Sequence, residues 1–211
     1  MDIRLMRLNR MKQTLRAGSC VIGPNLQIDH PWLVEIIGHA GFDYIMLDGE
    51  HGTAFNNLPS LIMAADTIGI TPIVRIPELR RSYLNWALES GAGGVQVPMV
   101  ETPEDAQCIV QETKYAPLGQ RGFSIATRAA DYGLVDGNRY IEQANDQVMV
   151  IVQLESAAAV TRAVEIASVP GIDMVFIGPA DLAQSMGYAG NSRAKPVTER
   201  IIATIEQIRN I

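Results

Sequence analysis

Cysteine is nearly absent. The 211 residues hold two, Cys20 and Cys108, far apart and in no CxxC spacing. That excludes a disulfide framework, gives no zinc or redox motif, and leads us to expect buried free thiols in a protein of the reducing cytoplasm. Blocks of basic charge are missing as well: 17 Lys and Arg face 23 Asp and Glu, for a net charge of −6, with only scattered basic residues near the N-terminus. Nucleic acid and anionic membranes are therefore not expected as partners. No apolar run approaches the roughly 20 residues of a membrane span. The opening MDIRLMRLNRMKQTLRAG alternates basic and apolar residues as an amphipathic helix does, without the apolar core and cleavage site of a secretory signal. Internal repeats and linkers are also lacking. What is plentiful is apolar residues, 47% of the chain, enough for one domain over residues 1–211 with a large core. Such a composition suits an enzyme of small metabolites.

The patterning alternates strand with helix. Residues 19–23 (SCVIG) read as a short strand, and residues 30–41 have apolar residues at helical spacing with a glycine stop. Residues 42–47 read as a buried strand that empties into the polar cluster Asp48-Gly49-Glu50-His51-Gly52. A helix over 57–69, a strand over 71–76 carrying Arg75, a helix over 79–90 and a strand over 95–100 follow. Gly91-Ala92-Gly93-Gly94 lies after a helix and lacks a following Lys-Ser/Thr, so it is a helix stop and not a phosphate loop. After a helix over 103–114 comes a long loop, 121–137, of the length that usually carries function in a compact domain. A short helix over 139–146 and a final helix over 197–211 complete the pattern, with two apolar runs, 148–152 and 174–177, between them. Continuous apolar strands separated by helices mean a parallel α/β fold. Polar residues gather at the C-terminal ends of several strands, which favours a (β/α) barrel over an open sheet.

Each of the last two apolar runs ends in a carboxylate: Glu155 after the first, Asp181 after the second. Parallel neighbours deliver such residues to one rim, where two carboxylates suit a hard divalent cation with open positions for substrate and water. Asp181 as a helix N-cap and Glu155 as a solvated strand end remain the plainer alternatives. Gln153, two residues before Glu155, and the turn Gly178-Pro179-Ala180 before Asp181 add to the functional reading, because backbone N–H groups at a helix start can receive a substrate carboxylate.

The segments GFDYIMLDGEHG (41–52), PIVRIPE (72–78), ESGAGGVQVPMVETPEDA (89–106), YAPLGQRGFS (115–124), VQLE (152–155) and FIGPADLAQSMGYAGN (176–191) together resemble the HpcH/HpaI type of metal-dependent (class II) pyruvate aldolases. The resemblance implies a TIM (β/α)8 barrel in which Glu155 and Asp181 hold Mg²⁺, Mn²⁺ or Co²⁺. It implies that Arg75 steadies the enolate oxygen and that His51, paired with Asp48, is an acid/base dyad acting through a water on the metal. Gln153 falls near metal and pyruvate, Arg128 in the long loop would grip a carboxylate on the aldehyde half, and Glu89 matches an acid at a subunit contact or just behind the site. The substrate implied is a small 2-oxo acid, a 2-keto-3-deoxy sugar acid or 4-hydroxy-2-oxoheptanedioate, and the assembly implied is a homo-oligomer, a hexamer in the family. Only about six βα units are countable before Ile211, so the expectation is a C-terminally incomplete barrel whose open edges favour self-association. Two other readings stay open: a citrate-forming condensing enzyme of siderophore biosynthesis on the same fold, and a catalytically silent paralogue that acts by subunit association.

Overall fold

In the computed structural model, which describes residues 8–211, all strand neighbours are parallel and consecutive: β1 (Asn25–Leu26), β2 (Tyr44–Asp48), β3 (Thr71–Arg75), β4 (Gly94–Val97), β5 (Met149–Leu154) and β6 (Met174–Ile177) pair in that order. A doubly wound sheet reverses its strand order part-way, whereas a barrel does not. The sheet is thus a curled wall of βα units, as expected. The connecting helices are α1 (Arg10–Arg16), α2 (Pro31–His39), α3 (Leu58–Ile68), α4 (Arg81–Ser90), α5 (Pro103–Thr113), α6 (Gly137–Gln147), α7 (Ala157–Thr161), α8 (Ala163–Ala167), α9 (Pro179–Ser185) and α10 (Lys195–Ile208).

Alternation along each strand sorts side chains between two faces. Ile45, Leu47, Val74, Val95, Val97, Val150, Val152 and Leu154 join the helices in one large buried cluster. Ile73, Met149 and Ile151, with Tyr44, Met174 and Phe176, form a second cluster on the concave face, closed at the strand starts by Met11 of α1. The Met11 N–H donates to Thr71 Oγ1 (3.2 Å), and Asn9 Nδ2 donates to the Gly93 carbonyl (2.7 Å), so α1 is tied across the mouth at that end. Helix ends follow their sequence signals. Thr102 and Asp105 form a capping box at α5, and Gly69 and Gly91 stop α3 and α4 in the left-handed conformation.

Several expectations shift. The strand expected at 19–23 is not one; β1 is only Asn25–Leu26, although Ile22 still exchanges hydrogen bonds with Asp43. Between the last two strands the helical segment breaks at Arg162 into α7 and α8. Residues 1–7 of the amphipathic N-terminal helix lie outside the described residues, and α1 starts at Arg10 after an Asn9 cap. Cys20 and Cys108 are both exposed. Cys108 lies on the face of α5 opposite the buried Ala106, Ile109 and Val110. Among the described residues, no helix is long and apolar enough to cross a membrane.

Candidate active site

The concave face turns from apolar to polar as the strands approach their C-terminal ends. Strand register places Asp48 beside Arg75 and Arg75 beside Gln96, while Gln153 lies two residues past Ile151, the partner of Gln96. One row of buried polar side chains therefore caps the apolar interior. Asp48 is fully buried, Arg75 is 8% exposed, and Gln96 and Gln153 are buried.

Arg75 clasps Asp48 through two bonds, Nε to Oδ1 at 2.9 Å and Nη2 to Oδ2 at 2.6 Å, the planar fork-on-carboxylate geometry that only arginine makes. Asp48 Oδ1 also accepts the backbone N–H groups of Glu50 (3.0 Å) and His51 (3.1 Å), and Oδ2 accepts from Asn25 (3.1 Å) and Gln27 (3.3 Å). Burial alone would raise the Asp48 carboxyl, but the Arg75 guanidinium and the two backbone donors outweigh it and hold the group well below the usual carboxylate range. Asp48 is saturated with donors, and this corrects the expected dyad. The His51 imidazole is exposed, with Nε2 at 3.9 Å from Glu50 Oε2, and only the His51 backbone bonds Asp48.

Glu50 was not singled out by sequence, yet it stands between the two groups that were. Its Oε2 lies 3.1 Å from Arg75 Nη1 but has no hydrogen bond in good geometry. Burial, with the nearby Glu155 and Asp48 charges, raises its carboxyl against the opposing pull of Arg75 and His51.

Glu155, 3% exposed, is held by both oxygens. Its Oε1 accepts the Met99 N–H at 2.7 Å, and its Oε2 accepts from Gln153 Nε2, whose own Oε1 accepts from Gln96 Nε2. Met99 takes a left-handed φ of +55°, a sparsely populated conformation that persists where the surroundings fix it. A carboxylate oxygen offers two lone pairs, so each Glu155 oxygen retains one. Space for them is made by Gly178: a Cβ there would lie 2.6 Å from Glu155 Oε2. Asp181 follows in the first turn of α9 and is exposed. Gly178, not Asp181, is the N-cap, which removes the plainer role considered for Asp181. Among the described residues no group of three or more His, Cys, Asp or Glu could enclose a metal. Two hard carboxylates on one rim suit a divalent ion that keeps several of its ligands as water or substrate oxygens.

Of the turn Gly178-Pro179-Ala180, the Gly178 N–H is committed to the Leu154 carbonyl (3.0 Å) and proline has none, which leaves Ala180 as the donor of the three. Arg128 is not at this rim. Its Nη1 donates to the Ser90 carbonyl at the end of α4 (2.9 Å) and its Nη2 pairs with Asp66 of α3, so it lies at the strand-start end. The long loop is drawn there because Ala130 and Val135 pack with Tyr115, Tyr140 and Ala144. Glu89, in the last turn of α4 beside Ser90, belongs to that same end and is not behind the carboxylate rim.

The chain matches the family described as HpcH/HpaI aldolase/citrate lyase over residues 25–210. It belongs to that family. The 2-keto-3-deoxy-L-rhamnonate aldolase of Salmonella gallinarum is 38% identical over 196 residues, covering 92% of this chain and 72% of its own. Among solved structures, an HpcH/HpaI aldolase from Desulfitobacterium hafniense superposes with a TM-score of 0.89 at 31% identity, covering 95% of this chain and 78% of that one. The citrate synthase SbnG superposes with a TM-score of 0.84 at 32% identity over the same shares. Both solved structures therefore follow nearly the whole fold described here.

Proposed function

We infer that this chain is a carbon-carbon lyase, a class II aldolase that cleaves a 4-hydroxy-2-oxo acid to pyruvate and an aldehyde. The observation that carries the reading is the rim on which the doubly held Glu155 faces the gap at Gly178. Arg75 stands on that rim too, in a chain 38% identical to an aldolase. The substrate class proposed is a 2-keto-3-deoxy sugar acid, after that relative. Glu155 and Asp181 are the residues that would hold a divalent ion, with Mg²⁺, Mn²⁺ and Co²⁺ the candidates. Such an ion supplies Lewis-acid polarisation of the 2-oxo group.

Cleavage requires that the C4 hydroxyl lose its proton, that the C4 oxygen form the aldehyde carbonyl, and that the C3–C4 bonding pair pass to C3. Negative charge then develops on the oxygen at C2. Arg75 keeps N–H groups beyond those given to Asp48, and preorganised donors of this kind stabilise charge as it forms. Asp48 serves by fixing that guanidinium, so it is a positioning residue. His51 is exposed at the rim and moves the proton, with the Glu50 carboxylate 3.9 Å from its Nε2. The proton goes back to C3 to give pyruvate. Gln153 orients Glu155, and the Ala180 N–H is the donor proposed for the substrate carboxylate. A homo-oligomeric, cytoplasmic enzyme is the setting proposed.

The test is cleavage of 2-keto-3-deoxy-L-rhamnonate with added Mn²⁺, with pyruvate read by coupled lactate dehydrogenase. Pyruvate release that EDTA abolishes is expected; no release with any of the three ions would overturn the reading. The likeness to SbnG supports one alternative, citrate formation from oxaloacetate and an acetyl donor. Citrate formed under the same conditions without pyruvate release would favour it.

A further inference from the structure

A cavity of about 350 Å³ lies at the opposite end of the strands from the carboxylate rim, among the start of β3, the end of α4 and the long loop. Its volume falls at the small end of the range for small-molecule sites, roughly 300–1,000 Å³. Arg121 lines it, is 5% exposed, and has its guanidinium over the Tyr115 ring at 4.6 Å. Among the described residues its Nε and Nη2 are buried with no hydrogen-bond partner. Nε and Nη2 form one edge of the guanidinium, the same edge by which Arg75 clasps Asp48. A buried, unpaired charge is costly, and that edge matches two coplanar oxygens of an anion.

We propose that this cavity is a second ligand site, distinct from the active site, in which Arg121 receives the carboxylate of a small organic monoanion with an apolar body. Ile70 and Leu88 give the cavity apolar walls for that body. Asp66 is committed to Arg128, so Arg10 and Arg121 stand in the lining with Asp131 alone, and the single surplus positive charge suits a monoanion better than a phosphate dianion. The proposal does not depend on the aldolase reading.

The probe is hexanoate, followed by the Nε–Hε resonances of the ¹⁵N-arginine-labelled full chain with EDTA present, titrated to about ten times a millimolar Kd. One resonance is expected to move saturably, to be missing in Arg121→Gln, and to move unchanged in Glu155→Gln, which excludes binding at the carboxylate rim. Should Arg121→Gln not fold, Ala129→Leu, which adds bulk to the cavity lining and keeps the arginine, is expected to weaken hexanoate about tenfold or more. No saturable shift, a shift that survives Arg121→Gln, or full hexanoate affinity in Ala129→Leu overturns the proposal. A tighter response to inorganic phosphate overturns the carboxylate assignment.

Discussion

Asp48→Asn removes one charge from a pair that is wholly enclosed, and the structure bounds what that costs. Asp48 is fully buried and accepts six hydrogen bonds, two of them from Arg75. Breaking a buried ion pair by removing one partner costs roughly 3–5 kcal/mol. The low end, about 3 kcal/mol, applies here because asparagine still accepts and Glu50 stands 3.1 Å from Arg75 to share its charge. For a chain of this size, a loss of about 3 kcal/mol lowers Tm by roughly 6–12 °C. The pH dependence has a definite sign. The folded Asp48 carboxyl is held below its ordinary value, so its stabilising contribution is present in full above the unfolded value near 3.9 and is lost as pH falls toward the folded one. Urea unfolding of wild type and variant should therefore differ by a constant amount from about pH 5 to pH 8 and converge below about pH 4. A gap under about 1 kcal/mol at pH 7, or one that widens in acid, would refute the claim that Arg75 rests on Asp48.

Arg75→Lys is expected to lower turnover about 10²-fold or more, since an ammonium cannot both fork onto Asp48 and face an oxyanion; a change under threefold in steady-state cleavage would make Arg75 structural. Gly178→Ala places a methyl 2.6 Å from Glu155 Oε2, so metal affinity read by Mn²⁺ titration should fall about tenfold or more while circular dichroism is unchanged; wild-type affinity would contradict the gap assigned to Gly178. Burial lowers Lys114 to about 8. Its charged form is thus penalised in the fold, and stability should rise with pH from about 8 toward 10, a rise that urea unfolding should find absent in Lys114→Met.

The strands Tyr44–Asp48 and Met149–Leu154 could be read from the sequence as continuous apolar runs because a barrel wall is covered on both faces. Arg75, Gln153 and Glu155 stand out in the sequence as polar residues within or just past an apolar strand, and Asp181 by following the Gly178-Pro179 turn. Glu50 carries no separate signal within DGEHG, because sequence does not say that a carboxylate in this turn folds back onto Arg75. Gln96 could have been found, since it interrupts the apolar strand Gly94–Val97 on the same face. The Met99 N–H carries no signal in its side chain; its role arises from a backbone conformation. Arg128 misled because a long loop can fold toward either end of a barrel, and the packing of Ala130 and Val135 on Tyr115 and Tyr140 decided the direction.

The function proposed for this rim is to make and stabilise the enolate of pyruvate when a divalent ion is bound. Proton NMR of pyruvate in deuterated water tests it without any choice of aldehyde. With the full chain and Mg²⁺, the methyl signal should decay, and the decay should stop on adding EDTA and be lost in both Glu155→Gln and Asp181→Asn while both variants stay folded. Exchange that persists at the wild-type rate in both variants, or that ignores EDTA, would contradict the assignment.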